Sequence, residues 1–334
     1  MFNDMTPKKL RERFCKDCGI PIKITASPYF ESRMKILDPF YDCNQKYKKF
    51  VADIAKYNDE KEFLDEYDSI RNQMIEYIKS TPGYSKFNSC DMNEYSVQKF
   101  SHKYSANCSK DIFKSRNVGR MFLGFDIKKA NFTALKHFGE IFDEFDSYED
   151  FVRNFTDVDH FIHSKYIREV VFGNCNPRRQ ITYERYLVEQ FVDFLIENSK
   201  KIINDDEFDV LSRICFVSND EVIIDMTEFD KVFSPSNVFD LVAEYKAKTG
   251  VDFKPEYFTL LMITGDFDGY IKDIYYPNNK IEFKCLEAFY IPLVVKKLLN
   301  SEISEEDLVF VQNGKLAKYL ENPEFKITAT SEPQ

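Results

Sequence analysis

Glycine is scarce in this chain, with 10 residues among 334. Neither G-x-x-x-x-G-K-[ST] nor G-x-G-x-x-G occurs, which excludes the two common glycine-rich phosphate cradles. No apolar run reaches the length that spans a bilayer, and the N-terminus carries no signal-peptide pattern. The chain is therefore expected to be soluble and cytoplasmic, with no membrane partner. Internal repeats and low-complexity tracts are absent too. A net charge of −10 excludes a generally basic coat. A nucleic-acid partner would need a local basic channel.

What is present is aromatic mass: 33 Phe and 20 Tyr, in a chain that is 43% hydrophobic. That is enough for a full core in one large or two intimate domains. One stretch departs from the acidic average. Lys165, Arg168, Arg178, Arg179 and Arg185 stand against only Glu169 and Glu184. A solvated helix face is the ordinary reading of such a run. Of eight cysteines only Cys15 and Cys18 form a C-x-x-C pair. It resembles half of a zinc knuckle, with no second pair following and His160 and His163 far along the chain. Cys175, Cys215 and Cys285 read as reduced core thiols.

Residues 1–40 form a segment broken by Pro21, Pro28 and Pro39. Helical spacing of Phe50, Ile54 and Tyr57, then of Phe63, Tyr67, Ile70, Met74 and Ile78, predicts two amphipathic helices between Tyr41 and Ser80. Thr81–Asn117, with Pro82-Gly83, Lys103, Lys110, Lys114 and Arg116, reads as an irregular connector. Together these make a helical region over 41–117. Met121–Phe125 reads as a buried strand ending in Asp126. A helix face follows at Ala130, Ala134, Leu135, Phe138, Ile141, Phe142 and Phe145. One helix is expected over Asp159–Phe172, a break at Asn174–Arg179 and a long helix over Thr182–Lys200. Beyond Thr227 the pattern predicts a helix at Val238–Lys248 and a hairpin of Tyr270–Tyr276 with Lys280–Cys285. Residues 286–320 read as helical, giving an α+β region over 231–322, and 323–334 as a disordered tail.

Phe216–Ile223 is an apolar run, a polar tip at Asn219-Asp220-Glu221, and a second apolar run. Asn-Asp suits the centre of a tight hairpin because both residues tolerate positive φ. A carboxylate there projects from a rigid edge without burying its charge. Phosphoryl transfer with two metals needs two carboxylates on neighbouring strands, and Asp126 and Asp220 meet that need if their strands pair. Taken singly, an Asp at a strand end is ordinarily a cap, an Asn-Asp turn ordinarily a turn, and Phe172 ordinarily core.

The order of these segments carries a family resemblance. Phe125-Asp126-Ile-Lys-Lys-Ala-Asn131-Phe-Thr-Ala-Leu135-Lys-His137-Phe138 resembles the first palm motif of family A DNA polymerases, relatives of the single-subunit phage RNA polymerases. Arg168-Glu-Val-Val-Phe172-Gly173 is similar to their fingers-helix signature. Asn176, Gln180 and Thr182 match an Asn-x-x-x-Gln-Gly-Thr element, and Asn219-Asp220-Glu221-Val222 resembles a His-Asp-Glu-Val hairpin. The four elements fall in the family's order over residues 120–225.

The resemblance implies an α+β fold: a small palm-like antiparallel sheet backed by helices over 118–230, with pruned fingers and the 41–80 helices as a thumb. It implies template-dependent nucleotidyl transfer, with a primer-template and nucleoside triphosphates as partners. Asp126 and Asp220 would hold two Mg²⁺ or Mn²⁺ ions, with Glu221 beside them as the third catalytic carboxylate. Arg168 and Lys165 would meet the triphosphate, Phe172 would pack on the nucleotide, and Asn131 would lie near its sugar. Asn176, Arg178, Arg179, Gln180, Arg185 and Asn219 would contact nucleic acid. Zinc at Cys15 and Cys18 is a further expectation. Departures are Asn131 for a Glu, Asn219 for a His, Arg168 for a Lys, and Asn176 where a Tyr follows the fingers helix. Small size and missing accessory domains suggest a phage or mobile-element replication protein. Two rivals stand beside this: a non-catalytic palm-derived module that binds nucleic acid or a replication protein, and a template-independent nucleotidyltransferase.

Overall fold

The computed structural model of the chain describes residues 7–95, 111–203, 208–229 and 235–329. Lys103 and Lys110 of the expected connector lie outside these residues, as do 330–334 of the expected tail.

The first part is helical: α1 (Lys8–Asp17), α2 (Tyr29–Tyr41), α3 (Cys43–Ile54), α4 (Glu60–Ser80) and α5 (Pro82–Ser89). Helix α4 starts where the Asp59 side chain accepts a hydrogen bond from Glu62 N, a cap that satisfies an otherwise orphaned donor. Its buried stripe is Phe63, Tyr67, Ile70, Met74 and Ile78, as the spacing predicts. The expected connector instead begins with a helix. Pro82 takes the first helical position, where no backbone donor is needed, and Thr81 caps the Tyr84 amide.

Strand β1 (Met121–Ile127) leads into α6 (Ala130–Phe138), α7 (Tyr148–Arg153), α8 (Asp159–Ile162), α9 (Lys165–Gly173) and the long α10 (Pro177–Glu197). Helix α6 is shorter than expected. Gly139, at φ 95°, ends it, and Ile141, Phe142 and Phe145 are buried from the loop beyond. The helix expected over Asp159–Phe172 is two helices, because Ser164 opens α9 by accepting from Ile167 N. Helix α10 begins within the expected break, again with proline at its first position.

After α11 (Ser199–Ile203) and α12 (Val210–Arg213) come β2 (Ile214–Val217), β3 (Glu221–Asp225), α13 (Pro235–Thr249), β4 (Phe253–Gly265), β5 (Gly269–Tyr276) and β6 (Lys280–Lys284). The stretch expected to be helical over 286–320 holds one short helix, α14 (Ile291–Leu298), then a hairpin of β7 (Val309–Gln312) and β8 (Lys315–Lys318). Its turn is Asn313-Gly314, both at positive φ, a dipeptide that favours two-residue hairpins. The expected disordered tail contains β9 (Phe325–Thr328), paired with the end of β4.

The fold is α+β with an antiparallel sheet ordered β2-β3-β1-β4-β5-β6. Its first four strands and intervening helices follow a β-α-β-β-α-β succession. Because β4 lies directly beside β1, the sheet crosses the boundary expected near residue 230. Leu123, Phe125, Val222, Ile224 and Tyr257 face the helices and join one continuous core that also takes Leu10, Phe50, Phe63 and Val295. Phe191 of α10 stacks on Phe253 at 3.8 Å and meets Phe125 edge-on at 5.2 Å. Such pairs add about 0.5–1.5 kcal/mol each beyond burial. Phe122, Ile223, Phe258, Leu260 and Ile274 form a smaller cluster, closed by Ile112 and Phe113. Strand alternation puts it on the opposite face of the sheet. Among the described residues, no helix is long and apolar enough to cross a membrane.

Candidate functional site

Register decides which charges meet. Asp126 lies directly opposite Glu221 across the β1–β3 ladder and opposite Lys254 across the β1–β4 ladder. Directly opposed residues share a face of the sheet. Gly124, two residues before Asp126, keeps that face open. A Cβ there would lie 3.4 Å from Glu221 Oε1 and 3.2 Å from Phe258 Cε1.

The β2–β3 turn brings in Asp220. The Ile127 amide donates to the Asp220 carbonyl at 2.8 Å, extending the ladder to the hairpin tip. The turn differs from expectation, since neither Asn219 nor Asp220 has positive φ. Ser218 Oγ holds it instead, accepting from the Asp220 and Glu221 amides at 3.3 and 3.0 Å and donating to Asp220 Oδ1 at 2.9 Å. Arg185 of α10 donates to Asn219 Oδ1 at 3.1 and 2.5 Å, fixing the tip against the helix.

Glu184, next to Arg185, is 4% exposed and accepts from Asn131 Nδ2 at 2.8 Å. Burial pushes its carboxyl up to about 7, helped by the charges of Asp220 and Asp126 and opposed by the Asn131 bond. Burial likewise pushes Asp126 up to about 7, and Asp220 and Glu221 add to it while Lys272 pulls it down. Among the described residues no hydrogen bond or ion pair reaches the Asp126 carboxylate. A poorly solvated carboxylate without a partner is costly to ionise, and a cation beside it would remove that cost. Among the described residues, no group of three or more His, Cys, Asp or Glu side chains is gathered to hold a metal.

The charged face continues inward. Lys272 of β5, 6% exposed, reaches Glu256 Oε2 at 3.0 Å and Glu221 Oε1 at 3.4 Å, and lies 4.4 Å from the centre of the Phe258 ring. Burial opposes ionisation of Glu256, but Lys272 and Lys254 outweigh it and its pKa falls. Burial also dominates at Glu221, where Lys272 and Lys284 only partly offset it and the pKa rises.

No protein-family model matches this chain, and neither a curated protein nor a solved structure matches it.

The structure brings Asp126, Asp220, Glu221, Asn131, Arg185 and Asn219 together at one end of the sheet. The other expected positions divide. Phe172 is 1% exposed and packs against Phe142 and Tyr148 in the core, so its side chain does not face a ligand. Gln180 is fully buried, with Nε2 donating to the Phe172 and Cys175 carbonyls at 3.0 and 2.5 Å, and ties the end of α9 to α10. Arg179 donates to the Phe87 and Cys90 carbonyls at 2.7 and 2.5 Å and caps α5. Both contacts satisfy helix-end carbonyls, a structural role for each residue.

Asn176, at φ 56°, precedes α10 and bonds to Asn88 at 2.8 Å. Arg178 is exposed on the first turn of α10. Arg168 lies 5.9 Å from the Tyr148 ring. Lys165 pairs with Glu169 at 3.5 Å and lies beside Gly19 of the N-terminal segment.

Cys15 lies in α1 and Cys18 just after it. Burial raises both thiols, Cys18 to about 12, which favours the protonated form while no metal is bound. His160, far along the chain, comes to this same segment, with Nε2 2.9 Å from Oδ2 of Asp17, which lies between the two cysteines. Glu184, Glu256 and Lys272 were missed as site residues. Glu184 carries a readable signal, an acid on the buried stripe Gln180, Tyr183, Glu184, Leu187, Val188. Lys272 and Glu256 carry none, since only strand pairing buries them.

Proposed function

We propose that the chain is a metal-dependent nucleotidyltransferase that extends a nucleic-acid primer on a template. The observation that carries this reading is the register: Asp126 opposite Glu221, with Asp220 on the adjoining turn. Two further features support it. The sheet order sets a strand–helix unit beside an acidic hairpin, the arrangement a polymerase palm uses. The four sequence elements also fall in family A order along the chain.

In this reading Asp126 and Asp220 hold Mg²⁺ or Mn²⁺, and Glu221 and Glu184 flank them. The metal supplies Lewis acidity for a 3′-hydroxyl and positive charge for the transferred phosphoryl group. Arg185 keeps Asp220 in place by anchoring Asn219. Asn131 holds Glu184 by its hydrogen bond, and Lys272 holds Glu221 to the sheet. Arg168 remains available to a triphosphate. Phe172, Arg179 and Gln180 act by building the helices behind the site.

The test is incubation of the purified chain with Mg²⁺ or Mn²⁺, labelled nucleoside triphosphates and a primed template. Extension should occur and should vanish in Asp126→Asn and Asp220→Asn. Equal extension of primer alone would indicate a template-independent enzyme.

A second reading has its own observation. Lys272 already pairs with both Glu221 and Glu256 from within the protein, which suits a palm-derived module that binds nucleic acid without turnover. Such a module would show no extension, and Asp126→Ala would leave its nucleic-acid affinity unchanged.

A further inference from the structure

A cavity of about 570 Å³ opens beside the end of β1, between α6, the start of α7 and the end of α13. Its volume falls in the range of small-molecule sites. Lys128, Lys129, Lys136 and Lys246 line it, against the carboxylates of Asp146 and Asp252. Once Glu149, the partner of Lys129, is counted with them, four positive charges face three negative ones, an excess of one in a chain whose net charge is −10.

The lysines are incompletely neutralised. Lys128 and Lys246 share a single oxygen, Asp252 Oδ2, at 3.1 and 2.8 Å. Lys136 donates to the backbone carbonyls of Phe145 and Asp146, which carry no formal charge. Lys129 pairs with Glu149 and also lies 5.5 Å from the centre of the Tyr148 ring. Lys129 sits at φ 50°, a conformation that a residue with a side chain adopts at a cost. It precedes α6, whose first turn has no side-chain cap, so backbone donors and the positive end of the helix dipole lie at the same place.

Tyr148 adds an aromatic ring to the wall. Tyr148 is 2% exposed, and its buried hydroxyl has no hydrogen-bond partner. The hydroxyl lies out of reach of solvent, so it offers no donor to the cavity.

We propose that this cavity binds the phosphate groups of a nucleotide-sized ligand. Ammonium groups converging from several elements suit a polyanion with several oxygens better than a single carboxylate. The uncapped helix start supplies neutral donors for the same group. The inference stands on the cavity alone and does not need the acidic pair to be catalytic.

The experiment is titration of the full chain in EDTA with ATP, pyrophosphate and adenosine, followed by calorimetry and by the melting midpoint. ATP and pyrophosphate should bind and raise the midpoint, less so at higher salt, while adenosine should do neither. Lys128→Gln/Lys246→Gln should weaken ATP binding about tenfold or more. These side chains are solvent-facing, so the ligand-free midpoint should stay put. Absence of ATP and pyrophosphate binding overturns the proposal, as does equal binding by the lysine variant. A response to a DNA oligonucleotide but to neither small ligand overturns it as well. Asp126→Asn should bind ATP as the parent does, which separates failure here from failure of the polymerase reading.

Discussion

Arg185 and Asn219 are joined by two hydrogen bonds from one guanidinium to one amide oxygen, at 3.1 and 2.5 Å. The pair spans α10 and the β2–β3 turn, so the position of Asp220 depends on a helix 34 residues earlier in the chain. Arg185→Ala should therefore lower primer extension with little change in melting midpoint, because the residue is exposed and leaves no buried group unpaired. Extension at parental rates in this variant would show that the tip needs no anchor.

Asp126 and Glu184 have folded pKa values near 7, above those of the unfolded chain. The folded state then binds more protons than the unfolded state between about pH 4 and pH 7. Stability is greatest below that window, falls as pH rises through it, and levels off above it. Asp126→Asn should flatten this slope, making the metal-free protein more stable at pH 8 by about 2 kcal/mol. The full shift is not recovered because the neighbouring carboxylates titrate together. Urea melts at pH 5 and pH 8 in EDTA give the comparison, and an unchanged slope would contradict it.

Lys272 is the only cation within salt-bridge distance of Glu221 among the described residues, and it also pairs with Glu256. Lys272→Met should destabilise the fold by about 1–3 kcal/mol, since it leaves Glu221 without a cation and Glu256 with Lys254 alone. Lys272→Met/Glu256→Gln should regain a large part of that loss. A double-mutant cycle in urea measures the coupling, and additive losses would mean the pair is not coupled.

Gln180 should behave as a structural residue. Gln180→Leu removes two buried hydrogen bonds and should cost about 1–3 kcal/mol. Nucleic-acid affinity of the folded variant, measured by fluorescence anisotropy, should match the parent. A selective loss of affinity at full stability would return Gln180 to the binding surface.

Cys18 should alkylate slowly in the native state at pH 8, because burial holds its thiol at about 12. Unfolding in denaturant should restore the rate of a free thiol. Fast native labelling would contradict the buried, protonated assignment.

Local pattern alone made several features legible. The apolar spacing of Phe63, Tyr67, Ile70, Met74 and Ile78 sufficed for α4, because helix formation depends on neighbours within a turn or two. The runs flanking Asn219-Asp220 and Pro277-Asn278-Asn279 sufficed for the two hairpins, and Asp126 could be placed at the end of a strand. Asn313-Gly314 carried an equally plain turn signal, yet the apolar residues around it read as helix.

Only the tertiary structure decided which strands lie together and what that pairing buries. Strand β4, more than a hundred residues beyond β1, inserts beside it and carries Lys254 and Glu256 to the acidic face. The same packing sends Phe172 and Gln180 inward and puts Glu184 beside Asn131. A side chain's type and spacing limit its local conformation, but its solvation is set by partners distant in the chain. The charge and chemistry of Asp126, Glu184 and Lys272 depend on that solvation, and so they came into view only with the fold.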